Sequence, residues 1–184
     1  LLGKFAITRG ERRLGETHGR VNKVWVLIEY LLAQRGTTIS QERMIEVLWG
    51  DEECGNPIGA LKNLVYRARR LLRELDRPGE ETTYIVFQRN TYAWNPALPC
   101  VVDVEEMSRL FKQAIQKDCP IEERIRGYTR VVELYQGDFL PKSSDLDWVV
   151  VKNAYYATMF TDCVMGLVHL MTQRKHYEEI IRLC

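Results

Sequence analysis

The sequence predicts two domains, an α+β domain over residues 1–97 and an all-α domain over residues 101–184. Three observations carry this. Short alternating apolar runs open and close the first 97 residues, with helical periodicity between them. Asn95-Pro96-Ala97-Leu98-Pro99 has the composition of a linker. Beyond it, the apolar residues recur at helical spacing up to Cys184.

Residues 5–14 read as a hairpin: Phe5 and Ile7 alternate with polar neighbours, Arg9-Gly10-Glu11 turns the chain, and Arg13-Leu14 returns. A first helix spans 23–35, with Val24, Leu27, Ile28, Leu31 and Leu32 on one stripe. Asn22 is its expected N-cap, and Gly36 stands where a left-handed residue closes a helix. A second helix, 41–49, starts at Ser40, with Ile39 and Met44 placed as a hydrophobic staple and Ile45 and Leu48 on the buried side. After the polar loop 50–56, Pro57 suits the first turn of a third helix, 57–75. Pro78-Gly79 breaks the pattern. Tyr84-Ile85-Val86-Phe87 and Tyr92-Ala93-Trp94 then form two strands around Gln88-Arg89-Asn90-Thr91.

In the second domain Asp103 and Glu106 have the spacing of a capping box, ahead of a stripe of Met107, Leu110, Phe111, Ala114 and Ile115. A second helix covers about 120–136 and ends at Gly137, a third runs from Ser144–Asp145 to about 172, and His176 to Cys184 begin a fourth. Trp148, Tyr155, Tyr156, Met159 and Phe160 are expected in the core of this layer. A helix interrupted at Cys184, and a chain that opens on Leu1 rather than Met, lead us to expect a longer natural protein.

Composition narrows the function. At 46% hydrophobic and 28% charged residues, the chain has ordinary globular usage. No apolar run nears the roughly 18 residues of a membrane span and the N-terminus has no leader pattern, so a cytoplasmic protein without a membrane partner is expected. Five cysteines, Cys54, Cys100, Cys119, Cys163 and Cys184, are never spaced C-x-x-C; neither disulfides, a metal nor a cofactor is expected. G-x-G-x-x-G, Walker and G-x-S-x-G signatures are missing, and His18, His169 and His176 have no acid or nucleophile at a readable spacing. The chain is not expected to be an enzyme.

Charge supplies the positive signal. The net charge is only +1, but residues 1–98 carry 15 Lys+Arg against 12 Asp+Glu, or +3, leaving 11 against 13, or −2, beyond. Within 58–73 there are five bases, Lys62, Arg67, Arg69, Arg70 and Arg73, and no acid. A third helix with a cationic outer side, followed by a hairpin with Arg89 at its tip, is the order of a winged helix-turn-helix. The major groove of B-DNA admits one α-helix, and basic side chains on its flanks release counterions from phosphates. Asn63 and Arg67 have the donor and acceptor patterns for adenine and guanine, with Lys62 suited to a base or a phosphate. Tyr66, Arg69, Arg70 and Arg73 suit the sugar–phosphate backbone, and Arg89 suits the adjacent minor groove. The competing expectation is a solvated basic face on a protein-interaction scaffold that does not read DNA.

The segment Asn56-Pro57-x-x-Ala60-Leu61-Lys62-Asn63-Leu64-Val65-Tyr66-Arg67-Ala68-Arg69-Arg70-Leu71-Leu72 resembles the recognition helix of OmpR-type winged-helix regulators. Ile39-Ser40-x-x-x-Met44-Ile45-x-x-Leu48-Trp49 and Thr91-Tyr92-Ala93-Trp94-Asn95-Pro96 extend the likeness. Val102-Asp103-Val104, Leu134-Tyr135-Gln136-Gly137-Asp138-Phe139-Leu140-Pro141, Asp147-Trp148-Val149 and Lys175-x-Tyr177-Glu178-Glu179-x-Ile181 are similar to the tetratricopeptide-like bacterial transcriptional activator domain that follows such a winged helix in one branch. The wing departs from many relatives, which have Arg in place of Gln88 and Gly in place of Thr91. The resemblance implies a transcription activator that binds double-stranded promoter DNA and touches RNA polymerase. In OmpR-type proteins the loop before the recognition helix makes that touch, which here points to Asp51, Glu52 and Glu53. It also implies a helical domain for partner binding or homodimerisation.

Overall fold

In a computed structural model that describes residues 1–15, 22–50, 52 and 54–173, the contacts divide the chain into two units. One is Phe5–Cys100; the other joins Leu1–Lys4 to the described residues from Val101 onward. Residues 1–4, expected in the first domain, thus lie in the second.

In the first unit β1 (Ala6–Arg9) and β2 (Arg12–Gly15) pair antiparallel, with Ile7 opposite Leu14. Helix α1 (Lys23–Ala33) begins where the Asn22 side chain accepts from the Val24 N–H at 3.0 Å. A single buried stripe was the expectation for it, yet every residue from Val24 to Leu32 is buried. The reason is its central place: Phe5 stands edge-on to Trp25 at 5.7 Å, and the two following helices, Gln41–Trp49 and Pro57–Leu72, and the strand Thr91–Trp94 also contact it. A helix covered on all sides is apolar nearly all round, and Glu29 is the one charged residue in this buried run. Gly36 does take the left-handed conformation, at φ 88°.

Strand β3 (Ile39–Ser40) was not foreseen, since two residues carry no alternation to read. It leads directly into α2 (Gln41–Trp49), where Ser40 Oγ accepts from the Arg43 N–H at 3.1 Å. Met44 and Leu48 are buried in α2, while Ile45 is only half-buried. Helix α3 (Pro57–Leu72) tightens into a 3-10 turn over Arg73–Leu75, so the expected helix 57–75 changes pitch in its last three residues. Strands β4 (Ile85–Gln88) and β5 (Thr91–Trp94) complete an antiparallel sheet in the order β3-β5-β4. Leu27, Ile28, Met44, Leu61, Ala68, Leu72 and Ile85 are fully buried and form the core of this unit.

Two polar anchors fix its periphery. The buried Asp76 carboxylate accepts from Arg9 Nη1 at 2.7 Å, the Tyr84 hydroxyl at 2.8 Å and the Thr82 N–H at 3.0 Å. This ties the first hairpin to the chain leaving α3. The expected linker starts as an ordered turn: the Asn95 N–H donates to the Tyr84 carbonyl at 2.8 Å, and its side-chain amide donates to the Thr83 carbonyl at 2.7 Å.

The second unit contains α4 (Asp103–Ala114), α5 (Ile121–Leu134), a 3-10 turn (Pro141–Ser143) and α6 (Asp147–Gln173). The Asp103–Glu106 capping box does not form. Val102 is the N-cap and Asp103 the first helical residue; its carboxylate accepts from the Leu1 and Leu2 nitrogens at 2.6 and 2.8 Å. Glu106 reaches away to Arg130 Nε on α5, at 3.1 Å. Both acids have partners from elsewhere in the unit, which outcompete a local reciprocal cap. Leu2 and Phe139 form a backbone bridge, and the buried Phe139 ring lies 5.2 Å from Tyr156 and 6.1 Å from Trp148. At Gly166 a Cβ would meet the Tyr128 ring at 2.6 Å, so α5 and α6 approach closely only because that residue is glycine. Tyr156 and Met159 are buried as expected, but Tyr155 is exposed. No described helix is long and apolar enough to cross a membrane. The tetratricopeptide-like segment at 175–181 and the expected helix from His176 lie outside the described residues.

Candidate nucleic-acid interface

Helix α3 divides cleanly along its length. Leu61, Leu64, Val65, Ala68 and Leu72 face the core, while Lys62, Asn63, Tyr66, Arg67 and Arg70 are exposed. Among the described residues, none of these five side chains forms a hydrogen bond or ion pair. Four donors and a phenol therefore project from one helix without an internal partner. Burial of the opposite side fixes that orientation.

The helix start is built for a tight cap. Asn56 Oδ1 accepts from the Gly59 N–H at 2.9 Å, and Pro57 occupies the first turn, where no N–H is missed. A Cβ on residue 59 would meet Asn56 Nδ2 at 2.6 Å, so glycine lets the capping side chain fold over the first turn.

The structure separates the other predicted contacts. Arg69 sits at the border of the apolar arc, and its Nε and Nη2 reach the Ile85 carbonyl at 3.2 and 2.9 Å. It was expected on a phosphate, but its fork is turned inward to hold β4 beside α3. Arg73 lies on the 3-10 turn beyond the helix proper, with Glu81 at 4.0 Å. Arg89 and Asn90 form the two-residue turn between β4 and β5, both left-handed at φ 47° and 67°. Such a turn matches the strand twist but demands positive φ at both positions, which suits Asn and strains Arg. The Arg89 side chain is exposed, and the turn is braced from α2: the Gln41 N–H donates to the Asn90 carbonyl at 3.2 Å, and the Gln41 amide bonds the Asn90 side chain. Gln88 and Thr91, where the wing departs from many relatives, bond each other through Thr91 Oγ1 and the Gln88 carbonyl at 2.8 Å.

Of the three acidic residues before α3, Asp51 and Glu53 lie outside the described residues. Glu52 is exposed and accepts from Lys23 Nζ at 2.6 Å, and that ammonium also lies 5.2 Å from the Trp49 ring centre. Its charge is therefore matched locally.

Sequence reasoning missed three participants. Arg69 as a brace was detectable, because its neighbours at i−4 and i+3, Val65 and Leu72, belong to the core stripe. Gln41 gave no signal, since its partner Asn90 is 49 residues away. Ile58, at the start of α3, is apolar yet 48% exposed, which helical spacing alone does not signal, since its i+3 neighbour Leu61 is in the core.

No family model matches the chain, and neither does any curated protein sequence. Among solved structures the chain is similar to Mycobacterium tuberculosis EmbR in complex with a low affinity phosphopeptide, at a TM-score of 0.69 and 14% identity. The likeness covers 91% of this chain and 44% of that one, so the chain spans less than half the length of that neighbour. At this identity it is the fold that is shared.

Proposed function

We propose that the chain is a sequence-specific DNA-binding transcription activator whose α3 enters the major groove and whose β4–β5 wing reaches the minor groove. The observation that carries this is the unpartnered cationic side of α3, held outward by a fully apolar inner side. Lys62, Asn63 and Arg67 face base edges, Arg70 and Tyr66 the backbone, with Arg73 a weaker contact beyond the helix and Arg89 at the minor groove. Arg69 and Gln41 position the wing rather than touch DNA.

The helical unit serves partner binding or self-association in this proposal. Its long α6 leaves Val150, Val151 and Tyr155 exposed, at 52%, 71% and 51%, an apolar cluster suited to a protein surface. RNA polymerase is the proposed second partner, through the loop that holds Glu52.

Selection of bound sites from random duplexes tests the whole assignment. Enrichment of a defined motif, with affinity falling steeply as salt rises, is the expected result. Arg67→Ala is expected to cost about 1–3 kcal/mol on that motif and to relax its sequence choice. Arg73→Ala is expected to weaken all duplexes alike. A chain that retains no duplex at low ionic strength would favour the scaffold alternative.

A further inference from the structure

Exposed large hydrophobic side chains are not scattered over the first unit. Among its described residues they are Ile58, Tyr66 and Phe87, at 48%, 65% and 43% exposure. Tyr66 stands on the outer side of α3, Ile58 at the start of that helix on the border of its apolar arc, and Phe87 on wing strand β4. Apolar exposure in this unit is therefore confined to α3 and the wing, the two elements proposed to meet DNA, where solvation alone would favour further polar residues.

Ile58 is the informative member. As the second residue of α3 it precedes Lys62 by one turn, on the same line of the helix. Helical side chains lean toward the N-terminus, so Ile58 tilts out over the end of α3 that enters a groove first. Its i+3 neighbour Leu61 is buried while Lys62 and Asn63 are exposed, so Ile58 stands where the two sides of α3 meet, with 48% of its surface open. The major groove offers one apolar group to such a side chain, the C5-methyl of thymine.

We propose that Ile58 is a specificity-determining residue that packs on a thymine methyl group at the edge of the site read by Lys62 and Asn63. The inference rests on the DNA-binding assignment and adds a base preference to it. Cytosine lacks the methyl and presents an amino donor there, so Ile58 disfavours a C·G pair at that position.

The test replaces, one at a time, each thymine of the selected site by deoxyuridine, which removes only the methyl, and measures the affinity of the full chain. One position is expected to lose about three- to fivefold, the worth of one buried methyl. Ile58→Ala is expected to bind the thymine duplex with the same loss and to be indifferent to deoxyuridine at that position; Ile58→Val should keep part of the penalty. Far-UV circular dichroism and the melting temperature of each variant show that α3 is intact. The inference is overturned if no thymine matters, or if Ile58→Ala keeps the full deoxyuridine penalty. Either result with selective binding preserved leaves the DNA-binding assignment standing. Loss of all duplex binding in the wild-type chain removes both.

Discussion

Arg69 closes on the Ile85 carbonyl with two donors, Nε at 3.2 Å and Nη2 at 2.9 Å, while Arg70, the next residue, has no partner among the described residues. Adjacent arginines on one helix thus have opposite duties, and they give opposite predictions. Arg69→Ala should lower stability by about 1–1.5 kcal/mol, a charged hydrogen bond discounted for partial exposure. It should also weaken duplex binding by letting the wing drift, without changing the slope of affinity against salt. Arg70→Ala should leave the melting temperature unchanged and reduce that slope by about one. Thermal melts and binding titrations at four salt concentrations separate the two. Equal slopes for both variants would remove Arg70 from the contact face.

The wing makes stability and function pull apart at Arg89. A non-glycine residue in the left-handed region costs about 1–2 kcal/mol, and Arg89 has no compensating side-chain bond among the described residues. Arg89→Gly relieves that strain and should raise stability by about 0.5–1 kcal/mol after the entropy of glycine is counted. The same variant loses the cation proposed for the minor groove, so its affinity for duplexes with A·T flanks should fall. Opposite signs in the melting curve and the binding isotherm are the expected outcome. A more stable variant with undiminished affinity would show that the turn makes no DNA contact.

Local chemistry made most of the fold legible. Asn22 and Ser40 each cap the helix they precede, as read, because a short polar side chain before an apolar stripe has few other places to bond. Pro57 and the alternation in β4 and β5 were equally readable. What stayed hidden depends on partners distant in sequence. Asp103 and Glu106 have the spacing of a capping box, but Leu2 and Arg130 claim them from 101 and 24 residues away. Arg69 borders the core stripe through Val65 and Leu72, but the carbonyl it holds, on Ile85, is set by the fold. The exposure of Lys62, Asn63, Tyr66, Arg67 and Arg70 was legible because it needs no partner, whereas the Gln41 brace on Asn90 was not.

Acid should loosen the first unit through Asp76. Burial pushes this carboxyl upward, but the Thr82 N–H, the Tyr84 hydroxyl and Arg9 favour its charged form and hold its pKa below the ordinary carboxylate value. A folded pKa below the unfolded one means that the stabilisation is present above the unfolded value, near 3.9, and is lost as pH falls through the folded value. Asp76→Asn should therefore cost about 1–2 kcal/mol at neutral pH, with the difference from wild type shrinking below about pH 4. Urea midpoints for the two proteins from pH 7 to pH 2.5 supply the comparison. A gap that widens toward low pH would contradict the sign.

Thiol reactivity reports on the second unit in the same way. Cys163 lies on the buried side of α6, and burial, with Asp162 adding a little, pushes its pKa up to about 12. The thiolate is the reactive form, so at neutral pH almost none is present, and the folded structure also blocks access to the sulfur. Cys54, Cys100 and Cys119 are half-buried and free of disulfides. Iodoacetamide at pH 7.5 should therefore modify Cys119 in the same helical unit well before Cys163, by peptide mapping over time. Cys163 should react only through opening of the α5–α6 packing, at a rate that rises with added urea, whereas the Cys119 rate should change little. Labelling of Cys163 as fast as Cys119 without denaturant would mean that α6 does not bury the side that holds Tyr156, Met159 and Leu167.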